Sequence, residues 1–398
     1  MNQKEAEAIL KRRVIGFFPG EKEVLGRIVS EKQLLFYLGV DPTGPSLHLG
    51  HTIPALLLKS LGAMGHRIII LIGDFTARIG DPTDKSSTRK QLSSEEVAEH
   101  LKNYGEQFKK IFGNVPYEVR HNQKWLGSLT LTEVVDLTSR ATVQQMMIRD
   151  MFQERVKNDK PVYVHELLYP LLQGYDSVAM DVDGEVGGND QTFNMLVGRD
   201  LLKEYRGKNK MVLATRLLVD AVSGKKISKS EGGMISLSDS PDEIFQKVSN
   251  TIPNEMIKTV FELCTEVEIS DIESRERRAR EERDYKSWNK ELAYEIVRLY
   301  HGESSANRAL NDYESLASGK APEAIREVSG SFSDDATLAD ILFGTGLVSS
   351  KSEAKRLIEQ GAVKVNDVQI KNVFDPAKLS KGDIIKIGAG TIIRYTYQ

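Results

Sequence analysis

Residues 34–40 read LLFYLGV, and residues 41–45, which follow directly, read DPTGP. A continuous apolar run that ends in a turn of Asp, Pro and Gly is typical of a buried parallel strand meeting a loop. Residues 67–74, RIIILIGD, show the same pattern, and residues 47–64 between the two runs favour a helix. Strand, helix and strand within about 40 residues form a βαβ unit, which predicts an open parallel sheet of the α/β class.

The loop after the first predicted strand leads to two histidines, His48 and His51, at the head of the predicted helix. Such sheets bind ligands outside the carboxyl ends of their strands, where backbone N–H groups at a helix N-terminus attract phosphate. Two imidazoles on one helix face would add donors for a phosphate ester. Two other interpretations stay open at this point: helix-capping or core histidines, and a zinc site, for which no third ligand is evident nearby.

The composition is that of an ordinary globular protein with two or three domains. The chain has 398 residues, of which 40% are hydrophobic and 28% are charged, and its formal net charge is −3. That charge excludes a globally basic nucleic-acid binder but permits a local basic patch. The single cysteine, Cys264, cannot form an internal disulfide or a cysteine zinc site. The cysteine content therefore predicts a reducing compartment, by default the cytoplasm. Because the chain has no long uncharged apolar run, we also expect no secretory leader and no membrane span.

Further along the chain, residues 93–112 and 129–156 have helical patterns, and the second carries an apolar surface around Met146 that is either core or a subunit contact. Residues 166–191 predict a helix through Asp176 followed by a Gly-rich loop.

Residues 226–230, KISKS, bring two lysines and two hydroxyl groups into a polar, Gly-containing predicted loop. By itself, this pattern is most often a solvated loop. Together with the histidine pair, such a loop could close over a polyphosphate and stabilise pyrophosphate as it leaves.

The chain changes character after residue 235 and again before residue 336. We expect three parts: a Rossmann-like catalytic domain over residues 1–235 with an inserted helical region at about 120–165, an α-helical domain over 236–332, and a small α+β domain over 336–398.

The last part combines helices with a modest basic excess, nine Lys or Arg against six Asp or Glu over residues 336–398. Ser350 and Glu353 have the spacing of a capping box, and Gly361 is placed to end the helix that they begin. The basic residues Lys351, Lys355 and Arg356 crowd this helix, either as a solvated face or as an RNA contact.

Several motifs in order resemble those of class I aminoacyl-tRNA synthetases and, within that class, of the tyrosyl-tRNA synthetase family. HLGH and KISKS resemble the HIGH and KMSKS signatures. The further matching stretches are YLGVDPTGPSLHLGH (37–51), IGDPTDKSSTR (79–89), YPLLQGYD (169–176) and GGNDQ (187–191). The tail resembles an S4-type RNA-binding module, so the resemblance covers nearly the whole chain.

The resemblance implies a tyrosine–tRNA ligase that activates L-tyrosine with ATP to tyrosyl-adenylate and pyrophosphate, and then transfers tyrosine to the 3′-terminal ribose of tRNA(Tyr). It implies ATP as a substrate, with Mg²⁺ held through phosphates and water rather than by dedicated protein ligands. It also implies a homodimer, and a helical domain that approaches the anticodon. Neither chemical step needs a protein nucleophile, because aligning the reactants and stabilising phosphate charge suffice.

Residue by residue, the resemblance assigns three sets of positions. Those matching the family's catalytic, phosphate-binding positions are Thr43, His48, His51, Lys85, Arg89, Lys226 and Lys229. Those matching its ATP-binding positions are Gly39, Asp41, Gly50, Gly188, Asp190, Ile227 and Ser228. Those matching its tyrosine pocket are Tyr37, Asp81, Tyr169, Gln173, Asp176 and Gln191.

Within that pocket, Tyr37 and Asp176 match the partners of the substrate hydroxyl. Phenylalanine would leave both unpaired, a discrimination for which tyrosyl-tRNA synthetases are the standard example. Tyr169, Gln173 and Asp176 share one helix face by their spacing. Without the motif context, Tyr37 would be ordinary packing and GGNDQ an ordinary turn.

Three other functions fit parts of this pattern: a tryptophanyl-type synthetase, a small-molecule nucleotidyltransferase and a catalytically inactive RNA-binding paralogue. An indole pocket has no evident use for Tyr37 and Asp176, and the second alternative does not explain KISKS or the tail. Two residues depart from the family's pattern, Asp84 where glycine is common and Arg78 where an apolar residue is usual. An added carboxylate beside a phosphate loop fits best if it faces solvent or pairs with Arg78.

Overall fold

The computed structural model describes residues 3–83, 91–219, 234–317 and 326–396, apart from residues 331, 334, 335, 349, 367, 378, 389 and 390. The first sheet contains β1 (Val14–Phe18), β2 (Leu35–Val40), β3 (Arg67–Ile72), β4 (Glu118–His121), β5 (Gly184–Gly188) and β6 (Met211–Thr215). Its helices are α1 (Gln3–Arg13), α2 (Glu21–Ser30), α3 (Leu49–Ala63), α4 (Thr76–Ile79), α5 (Ser94–Leu101), α6 (Tyr104–Phe112), α7 (Gln123–Leu126), α8 (Leu131–Thr138), α9 (Val143–Met147), α10 (Asp150–Lys157), α11 (Val164–Met180) and α12 (Thr192–Arg206).

Among the described residues, the strands of this sheet lie in the order β1-β6-β5-β2-β3-β4. The five strands from β6 to β4 are parallel, and β1 pairs with β6 antiparallel at the edge. The predicted α/β fold is therefore confirmed. β2, α3 and β3 lie where the βαβ pattern predicts them, with similar bounds.

The sheet separates two apolar cores because successive side chains of a strand point to opposite faces. On β2, Phe36 and Leu38 belong to the core on the α3 side, whereas Leu35 and Tyr37 belong to the core that contains Leu171 of α11. Both faces of the sheet are therefore covered, as expected for parallel strands that read as continuous apolar runs.

A helical region follows the sheet. It contains α13 (Pro241–Thr251), α14 (Ile257–Cys264), α15 (Ile269–Glu282), α16 (Tyr285–His301) and α17 (Glu303–Ala317). Its buried Phe245, Phe261 and Trp288 belong to the same core as the α3 face of the sheet, and α14 packs directly on α3. This helical region is thus continuous with the first domain in its packing.

The tail forms a separate sheet with its own core. Its elements are β7 (Arg326–Ser329), α18 (Leu338–Gly344), α19 (Lys351–Glu359), β8 (Val363–Val365), β9 (Val368–Gln369), β10 (Ile384–Ile387) and β11 (Thr391–Thr396). In the described part of the tail the strand order is β7-β11-β10-β8-β9. The predicted helix start is confirmed, because Ser350 Oγ accepts a hydrogen bond from Glu353 N–H at 3.1 Å.

Two segments differ from the sequence prediction. The Gly-rich stretch 184–188 is the central strand β5 rather than a loop. A Cβ at Gly184 would lie 2.3 Å from the Phe36 ring, so glycine here marks a close approach of neighbouring strands, which has the same sequence signature as a turn. The second difference is β7, which lies in the range predicted to be helical but pairs in parallel with β11 of the tail.

Replacing Gly184 with Ala tests the close approach. We expect Gly184→Ala to lower the free energy of unfolding by about 1–3 kcal/mol, because the added methyl group overpacks against Phe36. The matched control is Gly26→Ala in α2, where a Cβ meets no atom within 4 Å. Since alanine is favoured over glycine in a helix, the control should gain about 0.4–1 kcal/mol. Urea titration measures both changes, and equal stability of the two variants would contradict the close approach.

Candidate active site

A cavity of about 460 Å³ opens at the carboxyl ends of the parallel strands β2, β3, β5 and β6. Every predicted catalytic, ATP-binding or tyrosine-binding residue that the structure describes borders this cavity: Tyr37, Gly39, Asp41, Thr43, His48, Gly50, His51, Asp81, Tyr169, Gln173, Asp176, Gly188, Asp190 and Gln191. The other predicted residues, Lys85, Arg89, Lys226, Ile227, Ser228 and Lys229, lie outside the described residues. The structure thus brings residues from four separate motifs together.

The two histidines form the N-terminal cap of α3. His48 Nδ1 accepts from the Gly50 N–H at 3.1 Å, and His51 Nδ1 accepts from the His48 N–H at 3.2 Å. The two rings stack with their centroids 3.8 Å apart. The capping interpretation is therefore confirmed. Because Nδ1 accepts in each ring, a neutral imidazole carries its proton on Nε2, which makes Nε2 the donor atom of both histidines.

The head of α3 is also joined to the chain that follows the KISKS segment. The Leu49 N–H donates to the Ile235 carbonyl at 3.2 Å, and the Leu237 N–H donates to the Leu47 carbonyl at 2.9 Å. Leu218 and Met234, which flank the segment outside the described residues, both border the cavity. Described residues on both sides of the KISKS segment therefore lie at the edge of this cavity.

Asp176 and Tyr37 are buried where the sequence predicts hydroxyl recognition. Asp176 is 2% exposed and accepts from Trp125 Nε1 at 2.7 Å and from Asn122 Nδ2 at 3.2 Å. Burial raises the pKa of the Asp176 carboxyl well above its usual range, and these two hydrogen bonds oppose the shift. Burial, with the nearby charge of Glu185, likewise raises the pKa of Tyr37, so its phenol stays protonated.

Several carboxylate and hydroxyl oxygens line the same cavity as Asp176 and Tyr37. Tyr169 Oη donates to Asp41 Oδ2 at 2.8 Å, and Thr76 Oγ1 donates to Asp41 Oδ1 at 2.7 Å. Asp81 Oδ2 accepts from Gln191 Nε2 at 2.8 Å. This concentration of carboxylate oxygen favours a ligand with a cationic group.

Asn194 fixes the two amide side chains of this region. Its Nδ2 donates to Gln173 Oε1 at 3.0 Å and to Gln191 Oε1 at 2.9 Å. Asn194 lies on α12 and Gln173 on α11, so the contact between these two helices orients the amides toward the cavity.

Sequence reasoning missed a buried group next to Tyr37. Lys210 and Glu185, 0% and 2% exposed, form an ion pair, and Lys210 Nζ also donates to Ser177 Oγ at 2.8 Å. Ser177 Oγ is 2.9 Å from Tyr37 Oη. The signal in the sequence was a charged residue in an otherwise apolar or glycine-containing strand, Glu185 in β5, and a second one, Lys210, directly before β6. Trp125 and Asn122, the partners of Asp176, carried no comparable signal.

The remaining predictions concern metals, membranes and the tail. Within the described ranges, no group of three His, Cys, Asp or Glu side chains could hold a metal ion, and no helix is long and apolar enough to cross a bilayer. Lys351, Lys355 and Arg356 are exposed on α19, where Lys351 Nζ pairs with Asp340 at 2.7 Å. Arg78 is exposed on α4, and Asp84 lies outside the described residues, so a contact between them stays a prediction.

Comparison with known proteins gives one consistent family. The model of the class I tRNA synthetases (W and Y) matches residues 30–317, and the S4 domain model matches residues 337–384. The tyrosine–tRNA ligase of Thermotoga maritima is 39% identical over 98% of this chain and 96% of its own length. That of Carboxydothermus hydrogenoformans is 40% identical over 98% and 97%, respectively. The chain therefore belongs to the class I tRNA synthetases of the tryptophan and tyrosine family.

Solved structures show the same fold. A truncated mitochondrial tyrosyl-tRNA synthetase from Aspergillus nidulans superposes with a TM-score of 0.67 at 23% identity, covering 79% of this chain and 99% of that one. The tyrosyl-tRNA synthetase of Archaeoglobus fulgidus, solved with L-tyrosine, gives a TM-score of 0.61 at 23% identity, covering 78% and 100%.

Two substitutions at His48 separate capping from any contact with a ligand. His48→Asn keeps a side-chain acceptor for the Gly50 N–H, so its free energy of unfolding should stay close to that of the wild type. His48→Ala removes the acceptor and should lose about 1 kcal/mol in urea titration. Both variants lack a donor at the position of Nε2, because the asparagine amide is shorter than the imidazole ring, so both should lose tyrosine-dependent pyrophosphate exchange into ATP. Full exchange by the Asn variant would show that capping alone explains His48.

Proposed function

We propose, from the membership of this chain in the class I tRNA synthetases, that it is a tyrosine–tRNA ligase whose cavity binds tyrosine and ATP together. The observation that carries the proposal is the pair of buried groups, Tyr37 and Asp176, beside the Tyr169 and Gln173 side chains on one cavity wall. A cavity of about 460 Å³ has the size of small-molecule sites.

The substrate phenol would be held by both buried groups. Asp176 can accept the phenol proton while Trp125 and Asn122 hold its carboxylate in place. Tyr37, which stays protonated, can donate to the phenol oxygen. A phenylalanine ring offers neither partner, so a buried carboxylate and a buried hydroxyl would each lose a hydrogen bond.

The α-amino group of tyrosine fits among the acceptor oxygens. Asp81, Gln173 and Tyr169 lie on the cavity wall, with Asp41 bonded to the Tyr169 hydroxyl. An ammonium group donates three hydrogen bonds and accepts none, so this set of oxygens complements it. Gln191, which is bonded to Asp81, would lie next to the carboxylate that reacts.

In the first step, a tyrosine carboxylate oxygen attacks the α-phosphorus of ATP, and the bond to the pyrophosphate oxygen breaks. Thr43 and the Nε2–H groups of His48 and His51 would supply donors on the phosphate side, at the positive end of the α3 dipole. Gly39, Gly50 and Gly188, which border the cavity, would leave room for the nucleotide, and Asp190, which also borders it, would meet the ribose.

The charge on leaving pyrophosphate would be met by the basic residues Lys85, Arg89, Lys226 and Lys229. Support for this role comes from the flanks of their segments, since Thr83, Leu218 and Met234 all border the cavity. Ile227 and Ser228, which lie between Lys226 and Lys229 in the sequence, would contact the same ATP. ATP would enter as its magnesium complex, with the metal held through phosphates and water.

In the second step, a hydroxyl of the terminal tRNA ribose attacks the tyrosyl carbonyl carbon, and AMP leaves. We propose that the tail holds tRNA(Tyr) through exposed Lys351, Lys355 and Arg356 on α19. The S4 domain match over residues 337–384 supports this assignment. The single cysteine, buried Cys264, needs no oxidising compartment, which supports work in the cytoplasm.

Pyrophosphate exchange with tyrosine, phenylalanine and tryptophan as separate substrates tests the reaction and its selectivity. We expect exchange with tyrosine alone. Asp176→Asn should lower kcat/KM for tyrosine by about a hundredfold, because a hydrogen bond to a buried charge is lost, and should affect phenylalanine far less. Folded wild-type protein that exchanges with none of the three, at saturating Mg-ATP, would refute the ligase and favour the inactive RNA-binding paralogue.

We also propose a two-fold homodimer formed through an apolar surface, named here the 131–164 surface. It consists of Leu131, Val135, Val143, Ile148 and Val164, which are 58% to 79% exposed. They lie on or beside α8, α9 and α11, and both α8 and α9 pack against α11. Met146, in contrast, is buried and belongs to the core. Large exposed apolar side chains on neighbouring helices are typical of an interface between subunits.

Charged residues in the 131–164 surface should separate the subunits. We expect the double variant Ile148→Glu, Val164→Glu to sediment as a monomer while the wild type sediments as a dimer, since buried carboxylates oppose association. The control is Val368→Glu in the tail, which replaces a 65% exposed apolar residue outside this surface and should leave the dimer intact. A dimer that survives the double substitution would place the interface elsewhere.

A further inference from the structure

We propose that Lys210 and Glu185 are positioning residues that aim the hydroxyl of Tyr37 at the ligand, and so help to set the preference for an amino acid with a para-hydroxyl group. The inference deepens the proposed function and rests on it. Neither residue needs to contact the substrate. Glu185 borders the cavity, whereas Lys210 and Ser177 do not border it and have exposures of 0%.

The sheet register brings these groups together. Tyr37 of β2 stands opposite Glu185 of β5, so both side chains point to the same face. Lys210 directly precedes β6, the next strand, and its Nζ pairs with Glu185 Oε2. The same Nζ donates to Ser177 Oγ at 2.8 Å and lies 5.8 Å from the centre of the Tyr37 ring.

The proton on each oxygen follows from these contacts. An ammonium group can only donate, so Ser177 Oγ must accept from Lys210. Ser177 then has one proton of its own, and the acceptor at hydrogen-bond distance among the described contacts is Tyr37 Oη, 2.9 Å away. With Ser177 donating to Tyr37, the single proton of Tyr37 is directed away from Ser177. The Glu185 carboxylate and the cavity, where the ligand phenol would lie, are the two acceptor sides left for that proton. Because Lys210 pairs with Glu185, it weakens the attraction of this carboxylate for the Tyr37 proton and leaves the proton to the ligand.

The charges give Lys210 a second effect. Desolvation raises the pKa of the Asp176 carboxyl, and the negative charge of Glu185 adds to that shift. The ammonium of Lys210 opposes the charge of Glu185. Lys210 therefore favours the ionised form of Asp176, which is the form that accepts a phenol proton.

Glu185 also fixes the amide of Gln173. Gln173 Nε2 donates to Glu185 Oε1 at 3.2 Å, which turns Gln173 Oε1 the other way, toward Asn194. One buried pair thus sets the orientation of groups at both ends of the proposed tyrosine site.

Calorimetric titration with L-tyrosine and with L-phenylalanine tests the inference on three variants. Lys210→Met keeps the length of the side chain but removes the donor and the charge. We expect its affinity for tyrosine to fall about tenfold or more and its affinity for phenylalanine to change less than about twofold. The control is Lys208→Met, two residues away, where the lysine binds the Asp181 carbonyl and Asp183 and does not border the cavity. Its affinities for both ligands should equal those of the wild type.

The third variant guards against misfolding. Glu185→Gln combined with Lys210→Met contains no unpaired buried charge but still lacks the donor to Ser177, so it should also lose preference for tyrosine. Equal losses for both amino acids in both variants, or an unchanged ratio in the double variant, would overturn the inference. A wild type that prefers tyrosine in calorimetry but supports no pyrophosphate exchange would refute the proposed reaction and leave this inference standing.

Discussion

The pairing of β2 with β5 is the constraint on which the rest of the site depends. Phe36 stands opposite Gly184, where only a hydrogen atom leaves room for its ring, since a Cβ would lie 2.3 Å away. A shift of one residue would turn every side chain to the other face of the sheet. With this register in place, Tyr37 and Glu185 stand side by side on the α11 face, and the carboxyl ends of both strands open into one cavity.

Close packing of α11 on α12 forms another wall of the cavity. A Cβ at Gly174 would lie 3.1 Å from the Gly198 Cα, so glycine on each helix lets the two backbones approach. At this separation Asn194 reaches Gln173.

Buried Asp176, Glu185 and Lys210 would each be costly in isolation. Hydrogen bonds to Asp176 and the pairing of the other two offset that cost, and they also hold the groups in fixed positions.

The elements and the helix face that depend on local periodicity could be predicted from the sequence. β2, α3 and β3 follow from apolar runs of the right length, and the shared face of Tyr169, Gln173 and Asp176 follows from helical spacing. The strand β5 was missed because its glycines, of which Gly184 is required by Phe36 on another strand, look like a loop when read along the chain. The Lys210–Glu185 pair was missed for a related reason. The two residues are 25 positions apart, and only the adjacency of β5 and β6 makes them partners.

The histidines show that capping and ligand binding are not competing interpretations. A serine or asparagine cap would satisfy the backbone N–H at the head of α3 but, being shorter, would present no donor at the position of the imidazole Nε2. Histidine uses Nδ1 for the backbone, and this contact decides that the proton of a neutral ring is on Nε2. Backbone hydrogen bonds also join Leu47 and Leu49, on either side of His48, to Leu237 and Ile235, which follow the KISKS segment in sequence. Two described segments that are far apart in sequence are thereby joined at one helix terminus, which is the place where a helix attracts phosphate.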